Sequence, residues 1–207
     1  MEIKQALEEL RKTEKKNFNQ SIDLIVNLKG IDLKRESINF IVNFPHKIKD
    51  KKICGFLEGK TKLMNTITKA EFVKYKDKKA LKKLVKEHDF FIALAGVMPA
   101  VATTFGKVLG PAGKMPSPQL GIITDESENS LQQIIEKISK SIKVRVKEAS
   151  IKFCIGNETM KDEEIINNII AAYTVIANAL PKKIENIRNA MLKFTMTKPI
   201  KLEIKWK

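Results

Sequence analysis

From Thr103 to Pro118 the chain reads TTFGKVLGPAGKMPSP, which sets Gly106, Gly110 and Gly113 among Pro111, Pro116 and Pro118 within thirteen residues. Glycine costs a helix or strand backbone entropy and proline removes a donor, so no regular element runs through the whole stretch. It has to be a shaped loop. A glycine-rich loop after an apolar run first suggests phosphate binding, and the spacing argues against it. A phosphate loop needs a glycine where Val108 stands, five residues before Gly113, and a hydroxyl residue where Met115 follows Lys114. A dinucleotide loop needs glycines two and then three apart, whereas these are four and then three apart.

On either side of this loop the patterning changes style. Ile3, Ala6, Leu7 and Leu10 fall at helical spacing over residues 2–14, and Ile22, Leu24, Val26 and Leu28 then alternate with more polar positions as in a half-buried strand. After the basic turn GIDLKRES, Ile38, Phe40, Val42 and Phe44 repeat the alternation up to Pro45, which suggests an antiparallel pair with the preceding strand. From Lys47 the composition shifts, with fourteen lysines and four acids over 47–86. That segment reads as a strand at Ile53 to Leu57, a helix near Thr61 to Ala70, a short strand at Phe72 to Tyr75 and a basic helix at Lys78 to Glu87. The continuous apolar run Asp89 to Gly96 is of buried parallel-strand type. A helix over Met98 to Leu109, a short strand at Gly121 to Ile123 and a helix carrying Leu131, Ile134, Ile135 and Ile138 complete a small α/β unit.

Beyond Lys140 alternating strands return, at Ile142 to Val146 and Ile151 to Ile155, with a turn expected at Gly156-Asn157. Thr159 to Asp162 reads as a helix start. Ile165, Ile166, Ile169, Ile170, Tyr173 and Ile176 form a wide apolar stripe, and Ile200, Leu202, Ile204 and Trp206 alternate at the end. The economical topology mixes α/β and α+β parts. A discontinuous domain of antiparallel strands and helices is built from 1–46 and 141–207, and an α/β domain, 47–140, is inserted through two adjacent crossings that make a natural hinge.

A formal charge of +15 over 207 residues points to a polyanionic partner. Nucleic acid outranks membrane, because no apolar run approaches the roughly 20 residues of a spanning helix. MEIKQALEELRKTEKK lacks an apolar signal core, so a cytoplasmic location is expected. Cys54 and Cys154 sit in separate apolar runs, as reduced core residues do, and His46 and His88 have no ligand spacing, so neither a metal nor another cofactor is expected. No carboxylate pair, glycine-elbow serine or nucleophile near a histidine suggests catalysis. The rival readings are a nucleotide-dependent enzyme using the α/β domain and a general basic nucleic-acid-binding protein.

The central loop resembles that of the ribosomal protein family called L-one, which forms the mobile side stalk of the large ribosomal subunit. Gly106, Leu109, Gly110, Pro111, Gly113, Met115 and Pro116 match its pattern of Gly, Leu-Gly-Pro, Gly, Met-Pro. FNQSIDLIVNL with the following VNFPH resembles the family's N-terminal block, and LKFTMTKP its C-terminal block, so the likeness spans essentially the whole chain. The resemblance implies a first domain made from both termini, a Rossmann-like second domain inserted in it, and no enzymatic activity. It also implies binding to large-subunit rRNA, assistance to the release of deacylated tRNA from the exit site, repression of the protein's own mRNA, and a monomer when free.

Carried over by position, the resemblance places Phe18, Ser21, Thr195 and Met196 on the RNA surface of the first domain. Thr197 stands where the family usually has glycine, and a β-branched residue does not easily reach φ > 0. Thr197 and Lys198 are therefore expected to offer a hydroxyl and an ammonium in place of backbone contacts. Asn189 stands where many members have serine. Lys16, Lys34, Arg35, Lys152 and Lys193 lie on turns or polar strand faces of the same domain, where they can meet phosphates.

Overall fold

The computed structural model describes residues 2–13, 16–32, 38–75 and 77–203. Lys34, Arg35, Ile204 and Trp206 lie outside them. In chain order the elements are α1 (Ile3–Arg11), β1 (Ser21–Leu28), β2 (Asn39–Asn43), β3 (Ile53–Phe56), β4 (Asn65–Ile67), a 3-10 helix (Lys69–Tyr75), α2 (Lys78–Glu87), β5 (Phe90–Leu94), α3 (Met98–Leu109), β6 (Ile122–Ile123), α4 (Glu128–Ser139), β7 (Ser141–Arg145), β8 (Ser150–Asn157), α5 (Asp162–Ala179), a second 3-10 helix (Lys183–Asn186), β9 (Ile187–Phe194) and β10 (Ile200–Leu202). They form two compact units, Met1–Lys49 with Lys140–Lys207, and Asp50–Ser139.

The first unit is built on an antiparallel sheet in the order β10-β9-β1-β8. Its inner face buries Ile22, Leu24, Val26 and Leu28 against Ala6, Leu7 and Leu10 of α1 and Ile165, Ile169, Ala172 and Ile176 of α5. The expected pairing of β1 with β2 does not occur. Both edges of β1 are taken by β8 and β9, and β2 pairs instead with β7, Phe40 opposite Val144. Alternation fixes which face of a strand is buried and leaves its partner open, which is why the sequence suggested a hairpin that the sheet does not contain.

On α5 the buried stripe is narrower than the run of isoleucines, and Ile170 is half exposed while Ala172 is buried. Gly156 and Asn157 remain in β8, and the chain turns just after them, with Met160 N donating to Asn157 O at 3.0 Å. The helix starts within the expected stretch, at Asp162 with Lys161 as its N-cap, and the Glu164 carboxylate accepts from the Lys161 N–H at 3.3 Å. Asn168 is fully buried on α5. Its Oδ1 accepts from His46 N at 3.1 Å, and its Nδ2 donates to His46 O at 3.2 Å and Ile155 O at 2.9 Å.

The second unit is a parallel sheet in the order β4-β3-β5-β6 with helices on both faces. Cys54, Phe56, Phe91 and Ala93 meet α2 and α3, whereas Ile53 and Ile92 meet α4, so β5 is apolar throughout because neither of its faces sees water. Burial pushes the Cys54 thiol up to about 12, which keeps it a neutral core residue. The segment expected as a helix and then a strand, Thr61 to Tyr75, instead holds β4 and a 3-10 helix. The β-branched Thr66 and Ile67 extend beside β3, and Phe72 and Tyr75, three residues apart as a 3-10 turn requires, both pack on Phe105 with ring centroids 5.0 and 5.9 Å away.

The glycine-proline run begins inside α3 and ends it. Gly113 takes φ 71°, its N–H donates to Gly110 O at 3.0 Å, and Lys114 N–H donates to Leu109 O at 3.0 Å, which is the hydrogen-bond pattern of a Schellman helix stop. A Cβ on Gly110 would fall 2.8 Å from Gly106 O, too close for any side chain. Lys114, which in a phosphate loop would face an anion, instead donates through Nζ to Val85 O and His88 O, both at 2.7 Å, and so caps the carboxyl end of α2. Lys114→Met is expected to lower the stability of the second unit by about 2 kcal/mol, the range for charge-assisted hydrogen bonds at a helix terminus. Urea unfolding of the variant checks this, and an unchanged midpoint would contradict it.

Candidate nucleic-acid interface

Because β1 alternates, each core residue is followed by one that points out of the opposite face of the sheet. Register places Ser21 beside Thr195, Asp23 between Cys154 and Lys193, Ile25 between Lys152 and Met191, and Asn27 between Ser150 and Asn189. Lys201 of β10 extends the row of Met191. The outer face of this sheet is thus polar and carries three lysines, Lys152, Lys193 and Lys201, around a single acid, Asp23.

Two side-chain pairs order it. Ser21 Oγ and Thr195 Oγ1 are 3.0 Å apart, Ser21 N donates to Thr195 Oγ1 at 3.1 Å, and Thr195 N donates to Ser21 O at 3.1 Å. At the other end, Asn27 Nδ2 donates to Asn189 Oδ1 at 2.7 Å. Beside that pair, Ser150 Oγ is the one buried side-chain polar atom among the described residues with no hydrogen-bond partner. A buried orphan hydroxyl is costly and marks a place where an added donor or acceptor would be welcome.

The turn from β9 to β10 closes one end of the face. Met196 is 65% exposed there, and its N–H donates to the buried Gln20 side chain at 3.3 Å, which ties the turn to the segment leading into β1. That segment carries the exposed Lys16 and Phe18, the latter 50% exposed. Neither Phe18 nor Met196 is core filler. Exposed aromatic and thioether groups beside polar hydroxyls suit stacking and sugar contacts better than they suit water.

Thr197 answers the question of the missing glycine. Its φ is not positive, since Lys183 is the only described non-glycine residue in that region, so threonine fits without strain. Its hydroxyl accepts from Phe194 N at 2.9 Å and closes the turn from within. The hydroxyl expected for a ribose or phosphate is therefore engaged internally, and Lys198 stays exposed. Of the residues singled out from sequence, Ser21, Lys152, Asn189, Lys193 and Thr195 share the sheet face, with Met196, Thr197 and Lys198 in the adjoining turn. Lys34 and Arg35 lie outside the described residues.

Sequence reasoning passed over Gln20, Asp23, Asn27, Met191 and Lys201. The signal for Asp23 and Asn27 is present in the alternation of β1, whose odd positions form the solvent side of the strand, whereas Met191 and Lys201 join them only through register. Among the described residues no helix is long and apolar enough to cross a membrane and no cluster of His, Cys, Asp or Glu is arranged to hold a metal ion.

A profile described as the ribosomal protein L1p/L10e family matches residues 10–198. The large ribosomal subunit protein uL1 of Methanococcus vannielii is 36% identical, over 94% of this chain and 94% of that protein. Those of Pyrobaculum calidifontis and Methanothermococcus thermolithotrophicus are 33% and 32% identical, each over 97% of this chain and over 92% and 97% of their own lengths. The chain belongs to the ribosomal protein L1p/L10e family. This is a family of ribosomal proteins and not of enzymes.

Proposed function

We propose that the protein is a structural constituent of the large ribosomal subunit, residing with it in the cytoplasm, and binds a structured rRNA element through the outer face of the β10-β9-β1-β8 sheet and its adjoining turn. The observation that carries this reading is the joint exposure of Phe18 and Met196 beside the Ser21–Thr195 hydroxyl pair, at the end of a face bearing Lys152 and Lys193. Lysines supply phosphate attraction, while the hydroxyls, amides and exposed apolar groups supply shape. The relatives are named as large-subunit proteins, in keeping with this role. The family resemblance extends the proposal to the side stalk, to assisting the release of deacylated tRNA from the exit site, and to repression of the protein's own mRNA. A repressor site on mRNA would have to mimic the rRNA element and compete with it for the same sheet face.

Met196→Ala tests the site directly. A contact with sugar or base edge depends on shape, so specific rRNA affinity is expected to fall by on the order of 1 kcal/mol with the salt slope and the melting temperature unchanged. Unaltered affinity would remove Met196 from the interface. Equal affinity of the native protein for rRNA, random RNA and duplex DNA would favour a general polyanion binder instead.

A further inference from the structure

The second unit contains a cavity of about 380 Å³ between β4, the first 3-10 helix and α2, which belongs to no part of the sheet face described above. Ile67 and Leu84 lie buried in its wall, but most of its accessible lining is polar, with Lys60, Asn65, Glu71 and Lys74 around it. Tyr75 lines the wall with its ring held against Phe105 at 5.9 Å, while its hydroxyl makes no hydrogen bond among the described residues. Asn65 Nδ2 meets His88 Nε2 at 3.2 Å, and His88 Nδ1 meets Leu84 O at 3.1 Å. The imidazole therefore donates to Leu84 and accepts from Asn65, an arrangement that fixes the amide and leaves its oxygen as an acceptor. Lys60 is held over the cavity by Glu71, Nζ to Oε1 3.1 Å.

A polar lining with a phenolic donor, an amide acceptor and the Lys74 ammonium beside them suits one nucleotide, with the base edge inside and the phosphate outside. The exposed lysines of α2, among them Lys79, Lys82 and Lys86, add positive charge to the same unit and favour a polymer over an isolated small anion. We infer that this cavity is a second RNA contact that takes a single unstacked nucleotide of an RNA strand. Tyr75 and Asn65 read the base, and Lys74 meets its phosphate, while Lys60 stays engaged by Glu71. The inference rests on the RNA-binding reading of the protein, but it uses none of the residues of the sheet face.

The test is binding of the full chain to a short single-stranded oligoribonucleotide carrying 4-thiouridine, with the photo-crosslinked peptide identified by mass spectrometry. Crosslinks are expected within residues 60–75. Tyr75→Phe, which keeps the packing on Phe105, should weaken the oligonucleotide about fivefold without changing the salt slope. Lys74→Ala should lower the slope by about one. Absence of oligonucleotide binding, native affinity in Tyr75→Phe, or crosslinks confined to the lysines of α2 would each overturn the inference. A Met196→Ala protein with intact rRNA affinity would instead count against the sheet-face reading and leave the cavity result standing.

Discussion

Asn168→Leu is expected to destabilise the first unit by about 3 kcal/mol, because leucine fills the volume but leaves one buried and two half-buried backbone groups without their partner. Those are the N–H and C=O of His46 and the C=O of Ile155, all bonded to Asn168 within 3.2 Å. The loss exceeds that of one ordinary hydrogen bond because three bonds go at once and the Ile155 carbonyl is buried under α5. Urea unfolding followed by circular dichroism measures it, and a midpoint shift equivalent to less than about 1 kcal/mol would mean that the segment of His46 relaxes to find other partners. The folded fraction should keep native rRNA affinity, since Asn168 faces the core and not the outer sheet face.

The second large effect is electrostatic. Lys152→Glu with Lys193→Glu reverses two charges that flank Ile25 and Asp23 on the outer face of β1. Specific rRNA binding at low salt should weaken by about a hundredfold or more, and the salt slope should fall by about two. The same change at Lys79 and Lys82 of α2 is the control, and there affinity for random RNA should drop as much as affinity for rRNA. If the α2 pair proved the more damaging for rRNA in particular, the specific site would lie in the second unit.

Much of the second unit was legible because each of its longer elements has a strong period or a continuous apolar run, as in α2, β5 and α3. What escaped was β4 with the 3-10 helix after it. A three-residue strand has no period to read, and the three-residue spacing of Phe72 and Tyr75 mimics helix and strand equally poorly. The glycine-proline loop was legible as a stop and a turn, but its lysine was not. Lys114 reaches α2 from a distant part of the sequence, and only the folded chain shows that its ammonium has two carbonyl partners.

In the first unit the alternation of β1 is clear, yet its partners, β8 and β9, lie more than a hundred residues away, so local pattern favours β2 as a neighbour that the sheet does not use. The candidate interface was partly legible for a different reason. Ser21, Thr195 and Met196 came from the family pattern, whereas their union with Asn27, Met191 and Lys201 follows from register, which no local stretch encodes. Thr197 is the instructive residue. Read alone it was a lost glycine, and in the fold its hydroxyl replaces backbone freedom with a hydrogen bond that closes the turn.

The most direct test of the account is a crosslink map of the native full-length protein on large-subunit rRNA substituted with 4-thiouridine. The sheet-face account predicts crosslinked peptides that contain Phe18 to Asn27 and Asn189 to Lys201, with yields that persist at salt concentrations where random RNA no longer crosslinks. Crosslinks to rRNA that spare both of those segments, while the protein binds the RNA specifically, would contradict it.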